Sequence, residues 1–399
     1  MQMFRLLHTS DWHLGRKLAG YDRSAEFEAF FDFLERTIAD KNPDLLLISG
    51  DVFDTGSPAN EVVRRYCSLL VRLHSLFPKL HVVITCGNHD SPSFLNIHAE
   101  VFKYFSAKVT GCVEYQDTGI EWQKMVSEIS VDGETAAIVC SVPYLRSGDL
   151  RRLGENASIK DFYTKLYEYA DNLRNGRDIP IIATGHFTAT GVTASDGQPI
   201  VGKLEGVNTD GFPPFTYIGL GHIHRAQICG TRENIRYSGS PLPFVFAEKT
   251  QPKSLCVVDF NGGKLTKTDS IEIPQIVDLK IIPSEPSDIA EVEKACREFP
   301  ADKEAFVEIN IKNEFKTPEN RNRIITEFLA GKKARFCGWH VQKAKPSDMQ
   351  TPDYVQFSTQ QFKNTDPLDV IAQLYRQKTS NHLDTKYLRM LKEIIETPL

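Results

Sequence analysis

A chain of 399 residues is long enough for two or three domains and at least one sizeable core. Its 41% hydrophobic and 25% charged residues are those of a globular protein, and no apolar run approaches the roughly 20 residues of a membrane span. The formal charge of −5 excludes a free-standing, strongly basic nucleic-acid binder, while leaving room for local basic patches or a DNA-binding partner.

The eight cysteines are scattered, and Cys86, Cys140 and Cys256 sit inside apolar runs. That is the pattern of buried free thiols in a reducing cytoplasm, not of a disulfide framework. Ser10-Asp11-Trp12-His13 interrupts the apolar start before any signal-peptide cleavage pattern, so a cytoplasmic location is expected.

Residues 4–10 read as a first strand running into Asp11-Trp12-His13. Phe27, Phe30, Phe31, Leu34 and Ile38, at three- and four-residue steps, predict a helix over 24–41. The apolar run 44–49 is that of a central strand covered on both faces, and it ends in Gly50-Asp51-Val52-Phe53-Asp54. A helix from Pro58 to about residue 77 comes next. A buried strand over 80–85 then runs into Gly87-Asn88-His89-Asp90, and Ser91-Pro92 starts another helix. This alternation predicts a βαβαβα unit with a largely parallel sheet.

Alternating runs at 125–131 and 135–142 predict antiparallel strands of a second sheet. A helix over 160–175 precedes a buried strand over 180–184 that ends in Gly185-His186. A polar loop over 187–209 follows, then a short strand over 217–220 ending in Gly221-His222-Ile223-His224. Strand pairs are predicted at 226–230 with 235–238, and at 254–260 with 264–271 around Asn261-Gly262-Gly263. After Pro274 the pattern resets to strand–helix–strand–helix–strand, a small α+β unit. Residues 346–365 read as a polar linker, followed by two short amphipathic helices that are either a docking element or a hairpin packed on the body. The expected division is 1–273, 274–345 and 346–399.

Asp11, His13, Asp51, Asn88, His89, His186, His222 and His224 all follow hydrophobic strands. In an open α/β sheet such ends share one crevice. Each piece alone is better explained as a cap, a turn or a satisfied core histidine; five together at strand ends are not. Two Asp, one Asn and four of the five His, without cysteine, form an oxygen–nitrogen set suited to manganese, iron or zinc, and to manganese in particular. Seven ligands exceed what one catalytic ion with open positions can use. They fit two ions about 3.5–4 Å apart that share a carboxylate and clamp a phosphoryl group.

Asp11-x-His13, Gly50-Asp51-x-x-Asp54, Gly87-Asn88-His89-Asp90, Gly185-His186 and Gly221-His222-x-His224 resemble the five motifs of calcineurin-like metallophosphoesterases. The stretches 8–15, 50–58, 87–91, 183–187, 219–227 and 239–248 are similar to the SbcD-type nuclease subunits of that family. The resemblance covers residues 1 to about 270. It implies an α/β fold: a two-sheet αββα sandwich with a small α+β capping domain that helps hold DNA, and C-terminal helices. It further implies that Asp11, His13 and His224 hold one metal ion, that Asn88, His186 and His222 hold the other, and that Asp51 bridges them. Manganese is expected ahead of magnesium, iron or zinc. His89 is implied as the catalytic histidine, with Asp90 behind it orienting the ring. Asp54 also stands behind the ligands, where archaeal and eukaryotic relatives carry a histidine.

The implied activity is that of a double-strand exonuclease and single-strand or hairpin endonuclease in DNA repair and recombination. Its implied partner is an SbcC-type coiled-coil ATPase bound by the C-terminal helices, in a heterotetramer built on a homodimer, with no membrane involved. The chain has no G-x-x-x-x-G-K-[ST] of its own, so any ATP dependence would come from that partner. A small-molecule phosphatase or phosphodiesterase is the enzymatic alternative. A catalytically inactive adaptor is the other, against which stands the absence of any vacant ligand position.

Overall fold

The structure, a computed structural model, describes residues 3–117, 119–193 and 206–340, with four isolated positions beyond residue 374. Much of the 187–209 loop lies outside the described residues, as do the linker and C-terminal helices expected over 346–399 apart from those four positions.

In chain order the strands are β1 Met3–Thr9, β2 Leu45–Ser49, β3 His81–Thr85, β4 Ala107–Thr110, β5 Tyr115–Gln116, β6 Gly119–Ile120, β7 Val126–Val131, β8 Glu134–Cys140, β9 Ile181–His186, β10 Tyr217–Gly221, β11 Gln227–Cys229, β12 Arg232–Tyr237, β13 Ser254–Asn261, β14 Lys264–Glu272, β15 Asp278–Ser287, β16 Ala305–Ile311 and β17 Ala334–His340. The helices are α1 Ser24–Lys41, α2 Asn60–Leu76, α3 Pro92–Phe102, α4 Trp122–Met125, α5 Ser147–Arg151, α6 Ile159–Arg174, α7 Ile289–Glu298 and α8 Pro318–Arg323. Among the described residues no helix is long and apolar enough to cross a membrane.

Two six-stranded sheets face each other, in the orders β14-β13-β1-β2-β3-β4 and β11-β12-β10-β9-β8-β7. Strands β1 to β4 run parallel, and the hairpin β13–β14 adds antiparallel to β1. The period of two along each strand separates the faces. Leu7, Leu46, Ile48, Val82 and Ile84 pack outward against Phe27, Phe30, Phe31 and Leu34 of α1 and Leu69, Leu70 and Leu73 of α2. Phe4, Leu6, Leu45, Leu47 and Val83 pack inward against Ala137, Val139, Ile182 and Tyr217 of the second sheet. Ile138, Ile181 and Ile218 then pack outward on Phe162, Tyr163 and Leu166 of α6. The layering is therefore αββα, which is why β2 is apolar at nearly every position. Each Leu, Ile, Val and Phe among these contributes about 1.5–3 kcal/mol on burial.

β4 pairs parallel with β3 as the edge of the first sheet, a strand the sequence pattern does not predict. With four residues, Ala-Lys-Val-Thr, it carries too little apolar signal to be assigned by pattern. The predicted antiparallel pair is β7–β8, and β8, β9, β10 and β12 continue the second sheet in parallel.

β15, β16 and β17 form a separate parallel sheet with its own core of Val292, Cys296, Val307, Ile309 and Ile324. It meets the larger body through Leu18, Phe246, Val277, Leu279 and Phe306. At that seam lies Arg23, 2% exposed, whose guanidinium bonds Glu26 and the Pro243 carbonyl oxygen and stacks over the Phe306 ring at 5.5 Å.

Between the large sheets, His8 is fully buried with Nδ1 3.0 Å from the Tyr217 hydroxyl. Burial, then the charge of Arg236, pushes its pKa from 6.5 down to about 3. The unfolded chain therefore takes up the proton first on acidification, and the stability tied to neutral His8 is lost as pH falls through this window. In His8→Phe, the dependence of unfolding free energy on pH below about 6.5 should be shallower than in the unaltered chain, by up to about 1.4 kcal/mol per pH unit. Urea unfolding across that range measures it, and equal slopes would mean that His8 is protonated in the fold.

Candidate metal centre

The carboxyl ends of β1, β2, β3, β9 and β10 bring the polar residues together. Pairing between the first two chain segments continues past the strands: Asp11 N donates to Gly50 O (3.0 Å), His13 N to Asp51 O (2.9 Å) and Leu14 N to Val52 O (2.9 Å). This holds Asp11, His13 and Asp51 in the left-handed region at φ 52°, 46° and 51°, and His222 sits at φ 92°. Non-glycine residues rarely adopt such backbone, and they keep it only where the surroundings over-determine it. One cause is visible in Asp90. Its buried carboxylate accepts from Val52 N (3.1 Å), Phe53 N (2.8 Å) and Gly87 N (2.9 Å), which locks the turn after β3 onto the turn after β2.

Gly87 is required by contact, since its φ is not positive. A Cβ there would stand 2.1 Å from Asp51 Oδ1 and 2.3 Å from Asp51 N. Gly221 is under the same constraint, since a Cβ on it would stand 1.9 Å from the Ser49 carbonyl oxygen.

Among the described residues, three groups of side chains have ligand atoms within 4.8 Å of one another: Asp11, His13 and His224; Asp11, Asp51 and His186; and His13, Asp54 and His89. In the first, His13 Nε2 and His224 Nε2 face each other at 3.2 Å. Their Nδ1 atoms point away, toward Asp54 Oδ1 and Glu248 Oε1, each at 3.4 Å. A carboxylate at Nδ1 favours the proton there, leaving two lone pairs converging beside Asp11. In the second group, His186 Nδ1 lies 3.0 Å from the Ser49 carbonyl oxygen, which can only accept. Its Nε2 is directed at Asp51 Oδ2 (3.2 Å) and Asn88 Oδ1 (3.0 Å), and Asn88 Oδ1 lies 2.9 Å from His222 Nδ1. Carboxylate, amide and imidazole atoms that converge in this way are what a cation site needs, and the set fits divalent manganese, iron or zinc.

Asp51 joins the two groups. Its Oδ1 accepts from the His89 amide at 2.8 Å, and its Oδ2 lies 3.2 Å from His186 Nε2 and 3.5 Å from His13 Nε2. Burial works against charge on Asp51, but His186 outweighs it, with help from His13 and the His89 amide, and holds the carboxyl well below the ordinary range. His186 shows the converse: burial disfavours its charge, yet Asp51 pushes it up to about 9. His222 is pushed down to about 4 by burial and then by His186. The cluster thus demands positive charge beside Asp51 and resists spreading it over further imidazoles.

Asp11, His13, Asp51 and His186 are buried, whereas Asn88 and His89 are exposed, so the centre opens on the side of the turn after β3. His89 Nδ1 lies 3.0 Å from the Asp54 carbonyl oxygen, which leaves Nε2 as the ring's free nitrogen. The expectation that Asp90 orients the His89 ring is corrected here. Its carboxylate is occupied by three backbone amides, and the ring is held by the backbone of residue 54 instead. Asp54's side chain stands behind His13 and takes Arg16 Nη1 at 3.0 Å.

Sequence reasoning did not single out Glu248 or Lys253. Both are buried behind His224 and paired at 2.7 Å. Burial opposes charge on Glu248, but His224 and Lys253 bring its pKa down to about 2. The available signal was one acid within the otherwise apolar stretch 241–248, on an irregular strap where no strand end points to it. Ser10 and Ser238 were also missed; Ser10 Oγ donates to Asp11 Oδ2 and accepts from Ser238 Oγ at 2.8 Å.

Residues 4–226 match the family of calcineurin-like phosphoesterases. Over 320 residues the chain is 33% identical to the SbcD subunit of the SbcCD nuclease of Escherichia coli (strain K12), covering 77% of this chain and 78% of that protein. It is 31% identical over 295 residues to the protein of the same name from Rhodobacter capsulatus, covering 70% and 72%. With that of Bacillus subtilis it shares 30% over 274 residues, covering 65% and 67%.

Gly87→Ala should displace the Asp51 carboxylate and weaken divalent-cation binding by about 10- to 100-fold, the range seen when a ligand loses its support. Calorimetric titration of the metal-stripped protein checks this. Unaltered stoichiometry and affinity would show that the Asp51 carboxylate takes no part in binding the ion.

Proposed function

The chain belongs to the SbcD family of calcineurin-like phosphoesterases, and we propose that it is a manganese-dependent DNA nuclease subunit that hydrolyses phosphodiesters. The observation that carries this is the Asp51 carboxylate, with one oxygen held by the His89 amide and the other set between His13 and His186. That is the arrangement a shared ligand between two ions requires. In this reading Asp11, His13 and His224 hold one ion, Asn88, His186 and His222 the other, and Asp51 both. Such a pair, when bound, supplies an acidified water and charge stabilisation for a phosphoryl centre.

The chain's own residues then do the rest. The His89 ring is anchored through Nδ1 to the Asp54 carbonyl oxygen, so its Nε2 can carry a proton to the leaving oxygen at the open face. Asp90 does not touch the substrate; it keeps the turns after β2 and β3 in register, so that Asn88 and His89 hold their relation to Asp51. The sheet β15–β17 is proposed to help hold DNA. Residues 346–399 are proposed to bind an SbcC-type coiled-coil ATPase, with a homodimer of this chain at the centre of the complex.

The purified protein with manganese should cut linear duplex DNA, and chelation should abolish cutting. Activity confined to small phosphoesters would remove the nuclease assignment. His89→Ala should keep the unaltered number of manganese ions by elemental analysis and lose about 10²- to 10⁴-fold in cleavage rate. Loss of an ion in that variant would make His89 a ligand, and an undiminished rate would remove it from the chemistry.

A further inference from the structure

Glu248 is 1% exposed, on the strap that runs behind His224. Its Oε2 is satisfied twice, by Lys253 Nζ at 2.7 Å and by Phe244 N at 3.1 Å. Its Oε1 is buried, has no hydrogen-bond partner, and lies 3.4 Å from His224 Nδ1. Lys253, 2% exposed, also bonds the His224 carbonyl oxygen and Ser240 Oγ, each at 3.0 Å. A buried ion pair that merely anchored a strap gains nothing from leaving one carboxylate oxygen unmatched, since an unsatisfied buried acceptor is destabilising. The spare oxygen instead faces the ring nitrogen of His224 that points away from the candidate metal centre.

We propose that Glu248, held in place by Lys253, is a positioning residue for His224. Its Oε1 accepts the Nδ1 proton, fixes that tautomer and the ring plane, and leaves the Nε2 lone pair directed toward Asp11 and His13. The device has a counterpart across the site. His13 Nδ1 has Asp54 Oδ1 behind it at the same 3.4 Å, and the two Nε2 atoms face each other. Phe244, whose amide Glu248 also holds, lies edge-on to both imidazoles at 5.2 and 5.3 Å between ring centroids and limits their rotation. The inference rests on His224 being a metal ligand, as proposed above.

The test uses the full chain, stripped of metal and labelled with ¹⁵N-histidine. His224→Ala assigns the His224 ring signals, and manganese titration counts ions and their affinities. The unaltered protein should show His224 as the Nδ1–H tautomer. Glu248→Met with Lys253→Met preserves volume, leaves no unpaired buried charge and removes the acceptor. It should lose the tautomer preference and weaken one ion by about 10- to 100-fold while the other binds unchanged. Glu248→Gln keeps an acceptor oxygen, so it should retain the tautomer and most of the affinity. If the pair only anchors the strap, Glu248→Gln would be at least as damaging as the double methionine variant, which would overturn the proposal. So would an unchanged His224 tautomer in that double variant. Should His224→Ala bind as many ions as the unaltered chain, the ligand assignment of His224 itself falls, an outcome separate from either of these.

Discussion

Asp51 holds the two halves of the centre in register. One carboxylate oxygen is fixed by an amide of the turn after β3, so the other has little choice of position and faces imidazoles from both sheets. Much else follows from keeping it there. The turn must come close enough to donate, which leaves no room for a side chain at residue 87. The turn must also not drift, which Asp90 prevents by bonding both segments. The left-handed backbone at Asp11, His13 and Asp51 is a further result: paired chain segments are bent outward at the strand ends to present side chains instead of continuing as sheet.

The part of this legible in the sequence is the part governed by strands. A buried strand leaves an unbroken apolar run, and a polar residue directly after it is conspicuous, so Asp11, Asp51, Asn88, His186, His222 and His224 could be gathered without coordinates. The long helices were equally visible, because α1 and α6 keep their apolar residues on one face. β4 was not, since four residues at an edge make no pattern. Glu248 and Lys253 were not, because an irregular strap has no period from which a buried charge stands out. The support role of Asp90 was misread for a different reason. The family resemblance implied contact with His89, whereas the Asp90 carboxylate is taken up by the amides of Val52, Phe53 and Gly87.

The small third sheet is tied to the centre by a short physical chain. Phe306 of β16 packs at the seam and lies under the Arg23 guanidinium, and Arg23 bonds the Pro243 carbonyl oxygen. The next residue, Phe244, sets its ring edge against His13 and His224. Packed side chains and a buried hydrogen bond thus run without a gap from the accessory sheet to two of the imidazoles. Along this route Glu26 accepts from the buried Arg23 guanidinium through both carboxylate oxygens.

The polar cluster draws on residues from Asp11 to His224 and on strands of both large sheets. Closing contacts over such separations is slow, because loop-closure entropy must be overcome before any of them stabilises the chain. No fragment carrying one sheet can assemble the cluster, and the strained backbone at Asp11, His13 and Asp51 has nothing to hold it until the sheets meet. An ion held by this cluster would therefore be captured late in folding. A bound ion would report that the polypeptide has reached its finished topology, and would stabilise that topology against the partly folded forms that precede it.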